Sequence, residues 1–224
     1  MRRVSFVQDK KRNISRTLSK SLDVLEWLSI WEDSDVYFDG DRNYGYGGYQ
    51  YDGRWSEVVR VIYDFYKLNK NSSLLDVGCA KGFLVHDYNN SHLVGDAAGI
   101  DISLYALIQG KRTGMKGDFF CGNATCLPFN KGEFDLIFCK DTLHNILSKD
   151  ELITAIREIE RVGKPSWIRV AAYNTNSQKK IIDKWATFAT SYFSVTEWHE
   201  IFKDAGYSGD YDWFHPTEII EDEQ

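Results

Sequence analysis

Between Ser73 and Phe83 the chain reads SLLDVGCAKGF, a short apolar run (Leu74, Leu75, Val77) that stops at a glycine-rich turn (Gly78, Gly82) ahead of a helix. In an α/β sheet a nucleotide lies at such a place, outside the carboxyl ends of the strands. Gly78 permits the tight turn and Gly82 permits close backbone approach to a ligand. Asp101, twenty-five residues beyond Asp76, follows the next apolar run in AAGIDIS. A carboxylate at that strand end can accept both hydroxyls of a ribose. The spacing DxGxxxG differs from the GxGxxG of dinucleotide folds and places Asp76 ahead of the first glycine. That carboxylate would repel a pyrophosphate and attract a cation. S-adenosylmethionine has a sulfonium, an ammonium and a ribose but no phosphate, so electrostatics favours it over a nicotinamide dinucleotide.

Outward from this turn, short apolar runs alternate with helical spacing. Strands are expected over 73–78, 97–102, 118–121, 134–139 and 167–172, with helices over 104–111 and 152–162. Ser148 with Glu151, and Ser194 with Glu197, have the spacing of capping boxes. Parallel strands need crossover helices, so the alternation predicts an α/β, Rossmann-like sheet, mostly parallel, with helices on both faces. Upstream, residues 20–32 have helical spacing at Leu22, Leu25, Leu28 and Trp31. Residues 37–55, YFDGDRNYGYGGYQYDGRW, have no period and read as a loop, after which Ser56 is expected to cap a helix carrying Val58, Val59, Ile62, Phe65 and Tyr66. We divide the chain into 1–56, an N-terminal helix and Tyr/Gly-rich lid segment within the same domain, and 57–224, the nucleotide-binding domain.

The 224 residues are 43% hydrophobic and 27% charged, a globular composition with 33 aromatic side chains to build a core. The net charge of −6 is uneven, because the first twenty residues carry +6 and leave −12 on the rest. An acidic body disfavours a phosphate-backbone partner, so no nucleic acid is expected. The basic start is read as a solvated terminus, with an arm for an anionic partner as the alternative. No apolar run reaches the length of a membrane span, and no secretory apolar region opens the chain. Cys79, Cys121, Cys126 and Cys139 form no CxxC pair and have no zinc spacing. A reduced, cytoplasmic protein without membrane attachment is expected; the oligomeric state is not readable.

LLDVGCAKGF, GIDIS, GNATCLPF and FDLIFCKDTLHNI, in this order and spacing, resemble the successive motifs of class I S-adenosylmethionine-dependent methyltransferases of the type 11 kind, over residues 73–172. The C-terminal WHEIFKDAGY resembles that family's last helix and turn. The resemblance implies that Asp76, Gly78 and Gly82, with Cys79 and Ala80 between them, line the methionine part of the cofactor. Asp101, with Ile102 beside it, would hold the ribose; Asn123 and Ala124 would meet the adenine, with Lys140 nearby. Ala80 stands where the family usually has its middle glycine, and Asn123 where an aspartate often accepts from the adenine amino group. After Gly206 one strand is evident, over 207–214, so the family's seven-stranded sheet is expected to be trimmed to six.

His144, in TLHNI after the fourth strand, is the expected catalytic base for a hydroxyl acceptor, a packed histidine being the alternative. Asp141 and Asn174 are too few to hold a metal, and none is expected. Tyr46, Tyr49 and Arg54 are expected to form a lid or acceptor pocket, Arg54 pairing with a carboxylate or phosphate. The YGYGGY…YDGRW segment resembles saccharide-modifying members of the family, which implies a small polar acceptor such as a sugar, nucleotide-sugar or phosphate-bearing metabolite, methylated at oxygen. The competing readings are a cofactor-binding fold that acts as a non-catalytic partner and a nicotinamide oxidoreductase.

Overall fold

The computed structural model describes residues 1–7, 34–41, 44–93, 95–185 and 190–215. The helix expected over 20–32 and the basic residues from Lys10 to Lys20 lie outside them. The elements are α1 (Ser34–Asp39), α2 (Trp55–Tyr66), β1 (Leu74–Val77), α3 (Phe83–Asn90), β2 (Ala97–Asp101), α4 (Leu104–Arg112), β3 (Asp118–Cys121) and β4 (Leu136–Lys140). A 3₁₀ turn (Leu143–Asn145) follows, then α5 (Lys149–Val162), β5 (Ser166–Tyr173), α6 (Asn176–Trp185), β6 (Phe193–Ser194), α7 (Val195–Ala205) and β7 (Asp210–Phe214).

The sheet runs β3-β2-β1-β4-β5-β6, with β7 paired to β5, and every pairing is parallel. The Rossmann-like architecture stands. The strand count is corrected from six to seven by β6, two residues against Ala172 and Tyr173, too short to leave a period in the sequence. The 37–55 loop is corrected at its start, because Tyr37, Phe38 and Asp39 belong to α1. Helix α2 begins one residue before the expected cap, at Trp55 with Arg54 in the cap position.

Strand β1 lies mid-sheet and is buried along its length. One face packs Leu152, Ile156 and Ile159 of α5 and Trp198, Ile201 and Phe202 of α7 against Leu75, Val77, Ile137 and Ile168. The other packs Val59 and Ile62 of α2 and Leu84, Val85 and Tyr88 of α3 against Leu74, Leu136, Phe138 and Trp167. The apolar stripes of these helices sit at the i, i+3/i+4 spacings that a helix must bury. The caps act locally: Ser148 accepts from the Glu151 N–H, and Ser194 with Glu197 closes a full capping box.

The chain's start lies along β7. Tyr211 N–H donates to the Arg2 carbonyl at 3.0 Å and Val4 N–H to the Tyr211 carbonyl at 2.8 Å. Arg2 makes a bidentate pair with the buried Asp210 at 2.9 and 2.7 Å, and Arg3 reaches the buried Asp212 at 3.3 Å. Both arginine side chains stay exposed, at 66% and 51%, while their backbone is tied to β7. Further along, Trp167 Nε1–H donates to the Val4 carbonyl at 2.8 Å, and Phe6 packs edge-on to Phe65 and against Trp167. No helix among the described residues is long and apolar enough to cross a membrane.

Candidate functional site

The turn after β1 is built from backbone hydrogen bonds. Gly78 and Cys79 N–H both donate to the Ile100 carbonyl, at 2.7 and 3.1 Å, which ties the turn to β2. Gly78 has φ 81°, and a Cβ there would lie 2.0 Å from Thr142 Oγ1; at Gly82, φ 77°, a Cβ would strike the Phe119 ring at 2.2 Å. Both glycines are thus required twice, by conformation and by contact. Ala80 adopts φ 51°, a left-handed conformation that strains any residue with a Cβ. Ala80→Gly should therefore raise stability by about 0.5–1 kcal/mol, the relief of strain exceeding the added unfolded-state entropy. Thermal unfolding should show a midpoint about 1–3 °C higher; a lower midpoint would mean that the turn is not strained at Ala80.

At the end of β2, Asp101 Oδ2 accepts from Ala80 N–H at 2.7 Å and Oδ1 from Ser103 N–H at 2.8 Å. Burial raises its pKa against the lowering effect of these donors. Each carboxylate oxygen keeps lone-pair capacity for a further donor. Asp76 is buried on β1, and burial followed by repulsion from Asp101 pushes its pKa up to about 8, with Lys140 opposing. No hydrogen bond reaches its carboxylate among the described residues.

A cavity of about 230 Å³ opens at the carboxyl ends of β1, β2 and β4. Of the expected site residues, the structure brings Gly78, Ala80, Asp101, Ile102, Asn123, Ala124, Lys140 and Tyr46 to its wall. Asp76, Cys79 and Gly82 are off the lining. Tyr49 stands back from the cavity, stacked on Phe83 with centroids 4.7 Å apart and tilted against Tyr46 at 4.5 Å. Its hydroxyl is in the field of the Asp76 carboxylate, which, after burial, helps raise its pKa. Arg54 is not at the cavity; its Nε and Nη2 hold Asp52 at 2.5–2.8 Å, which removes it as an anion clamp there.

His144 is also corrected. It is buried, off the cavity lining, and its Nδ1 accepts from the Ala171 N–H of β5 at 3.2 Å. Burial pushes its pKa down to about 4, so it is a neutral ring that joins the 3₁₀ turn to the sheet. On a 3₁₀ turn residues three apart share a face. Thr142 and Asn145 accordingly line the cavity while Leu143 and His144 are buried behind them.

Sequence reasoning missed Tyr37, Phe38, Thr142, Asn145, Ile146, Leu147 and Glu151 on the wall. It also missed the fastening of α1. Lys81, buried in the glycine turn, donates to both Asp39 oxygens at 2.6 and 2.7 Å, and Tyr105 donates to Asp39 at 2.8 Å. A lysine between two turn glycines was the one signal of it. Tyr51 donates to Asp87 on α3, a second tie between the tyrosine loop and the domain.

These residues fit S-adenosylmethionine. A strand-end carboxylate with spare lone pairs suits the ribose, a turn with no room for a Cβ at Gly78 suits close approach, and a buried carboxylate without a donor, Asp76, is suited to a cation. Residues 75–167, less than half of the chain, match the family of methyltransferase domains. Among curated proteins, the chain is similar to demethylmenaquinone methyltransferases of Renibacterium salmoninarum (33% identical; 53% of this chain, 47% of that one) and Paenarthrobacter aurescens (28%; 62% and 51%). The chain thus spans about half the length of the curated relatives it matches. Among solved structures, a SAM-dependent methyltransferase of Methanosarcina mazei superposes with TM-score 0.53 at 21% identity, over 65% of this chain and 82% of that one, a likeness of fold.

Proposed function

We propose that the protein transfers the methyl group of S-adenosylmethionine to a neutral aromatic acceptor that carries a hydroxyl. The observation that carries this is the wall of the cavity. Tyr37, Phe38, Tyr46, Ile146 and Leu147 offer flat and apolar surface, while Ile102 and Leu147 are 60% and 64% exposed, leaving apolar surface around the same cavity. Such walls favour an aromatic ring over a sugar. The names of the two curated relatives, demethylmenaquinone methyltransferases, support the neutral-ring part of this class.

Acid–base chemistry points the same way. When bound, S-adenosylmethionine supplies an electrophilic methyl whose C–S bond breaks as the acceptor bonds to carbon, leaving S-adenosylhomocysteine and releasing the acceptor's proton. A sugar hydroxyl would need a strong base for that proton. His144, Asp141 and Tyr46 make poor bases for it, since His144 is off the cavity, Asp141 is held to about 2, and burial raises Tyr46 well above its ordinary range. A phenol, with a pKa of about 10, gives up its proton far more readily. In this reading Asp101 orients the ribose, Gly78 and Ala80 let the cofactor approach the backbone, and Tyr46 covers the reacting atoms and excludes water. Asp76, Gly82 and Cys79 serve the methionine end, Ile102, Asn123 and Ala124 the adenosine, and Tyr49 and Arg54 support the lid from outside.

Calorimetric titration tests the first half. S-adenosylmethionine and S-adenosylhomocysteine should bind, and Asp101→Ala should weaken both by about 1–3 kcal/mol, the scale of hydrogen bonds lost to a charged acceptor. Unchanged affinity would remove Asp101 from the ribose site, and failure of the native chain to bind either compound would end the methyltransferase reading.

A further inference from the structure

The wall of the cavity contains a group that the methyl-transfer reading leaves without a role. Asp141 follows β4 directly, lines the cavity, and has φ 56°, a left-handed conformation uncommon outside glycine. Strained backbone of this kind persists where surrounding structure over-determines it, and it clusters at ligand sites. Here the Asp141 N–H donates to the Arg169 carbonyl of β5 at 2.9 Å, and Asn145 Nδ2 donates to the Asp141 carbonyl at 3.4 Å. The side chain is held as firmly. Lys140 Nζ donates to Oδ2, and Arg169 Nε stands 3.8 Å from Oδ1, beyond hydrogen-bond reach. Oδ1 is buried and accepts no hydrogen bond among the described residues. Burial alone would raise the carboxyl's pKa, but Lys140, then Arg169 and His144, hold it down to about 2, so it is an anion at every working pH.

The charges around it are asymmetric. Asp101, Asp141 and Glu151 line the cavity, and Lys140 is the one cation on the wall among the described residues. That ammonium is already engaged by Asp141 and lies 5.8 Å from the centre of the Trp55 ring. An incoming carboxylate or phosphate would therefore meet fixed negative charge in a partly desolvated space, where like charges repel strongly. A neutral molecule with an O–H would instead find an anchored anionic acceptor.

We propose that Asp141 is the specificity-determining residue of the acceptor site: it accepts the acceptor's O–H and excludes anionic molecules of the same shape. This rests on the methyltransferase reading and names the charge class of its acceptor. It also replaces the phosphate-bearing metabolite expected from the sequence, since the arginine meant to receive that phosphate is bound to Asp52.

The test uses a matched pair, 6-hydroxy-2-naphthamide and 6-hydroxy-2-naphthoate, of nearly the same shape and differing in charge. Each is titrated into the full chain saturated with S-adenosylhomocysteine. The amide should bind at least about tenfold more tightly than the carboxylate at low salt. In Asp141→Asn the Lys140 ammonium loses the carboxylate it pairs with, so the preference should fall below about twofold or invert, with S-adenosylhomocysteine affinity unchanged. A residue that merely supported the fold would weaken both probes alike and leave the ratio intact. Equal or tighter binding of the carboxylate by the native chain overturns the proposal even if the variant fails to fold, as does a ratio unmoved by Asp141→Asn. Binding of S-adenosylhomocysteine with neither naphthalene overturns the acceptor class and leaves the cofactor reading standing, whereas no binding of S-adenosylhomocysteine strikes the cofactor reading itself.

Discussion

Deleting residues 1–7 should lower the midpoint of thermal unfolding by about 10 °C or more, on the order of 4–5 kcal/mol for a chain of this size. Phe6 is 7% exposed, wedged between Phe65, Tyr66 and Trp167, so its loss opens a cavity in one of the two faces of the sheet. Truncating a buried phenylalanine costs about 3–5 kcal/mol, a large part of the roughly 5–15 kcal/mol that keeps a domain folded. The deletion also removes the Val4 carbonyl from Trp167 Nε1–H and both guanidinium groups from buried Asp210 and Asp212. Asp210 is instructive about pH. Burial pushes its pKa up, but Arg2 and Tyr66 pull it below the ordinary range. Its stabilising contribution is therefore present above the unfolded carboxylate pKa and is lost as pH falls through the lowered one, so the shortened chain should gain less stability than the native chain between acid and neutral pH. Phe6→Ala in the full chain separates packing from charge. A deletion that melts within about 2 °C of the native protein would mean that the arm only rests on β7.

That arm shows where sequence reading stops. Arg2 and Asp210 are 208 positions apart, and nothing in either neighbourhood marks them as partners. The strands, by contrast, were legible because burial on both faces leaves apolar runs, unbroken in Leu136–Cys139. Helices with a full apolar stripe or a capping box, such as α5 and α7, were legible for the same reason. Helix α1 was not, because its six residues cannot complete two turns of a periodic pattern. In the site, Gly78 and Asp101 were readable because a tight turn and a strand end restrict residue type. His144 was misread for a geometric reason: the motif TLHNI places a histidine near the cavity but does not say which face of a 3₁₀ turn it takes. The neighbouring Thr142 and Asn145 have the cavity face instead, and Asp141 reaches the cavity through a backbone conformation that its residue type does not announce.

Replacing Asp76 with asparagine should make the ligand-free protein more stable and its cofactor binding worse. The carboxyl's pKa of about 8 means that, between the unfolded value near 4 and the folded value, the native state carries a proton that the unfolded chain has released. Stability contributed at this position is therefore present at low pH and falls as pH rises through that window, with a limiting slope of about 1.4 kcal/mol per pH unit. Asparagine has nearly the same shape and no proton to hold, so the variant should gain on the order of 2–4 kcal/mol over the native chain near neutral pH. The difference should vanish below about pH 4 and level off above about pH 8. Binding should move the other way. In the proposed reading the buried carboxylate, without a hydrogen-bond donor among the described residues, receives positive charge from the cofactor, and losing a charge-assisted contact in a buried site weakens affinity by roughly tenfold to a hundredfold. Comparing ligands locates the contact: S-adenosylhomocysteine keeps the ammonium and lacks the sulfonium, so an equal loss for both ligands assigns Asp76 to the ammonium, and a loss confined to S-adenosylmethionine assigns it to the sulfonium. Thermal unfolding from about pH 4 to about pH 9, with and without each ligand, reads both effects in one series. A variant that melts lower than the native chain, or that binds both ligands as the native chain does, would make Asp76 a structural carboxyl with no role in holding the cofactor.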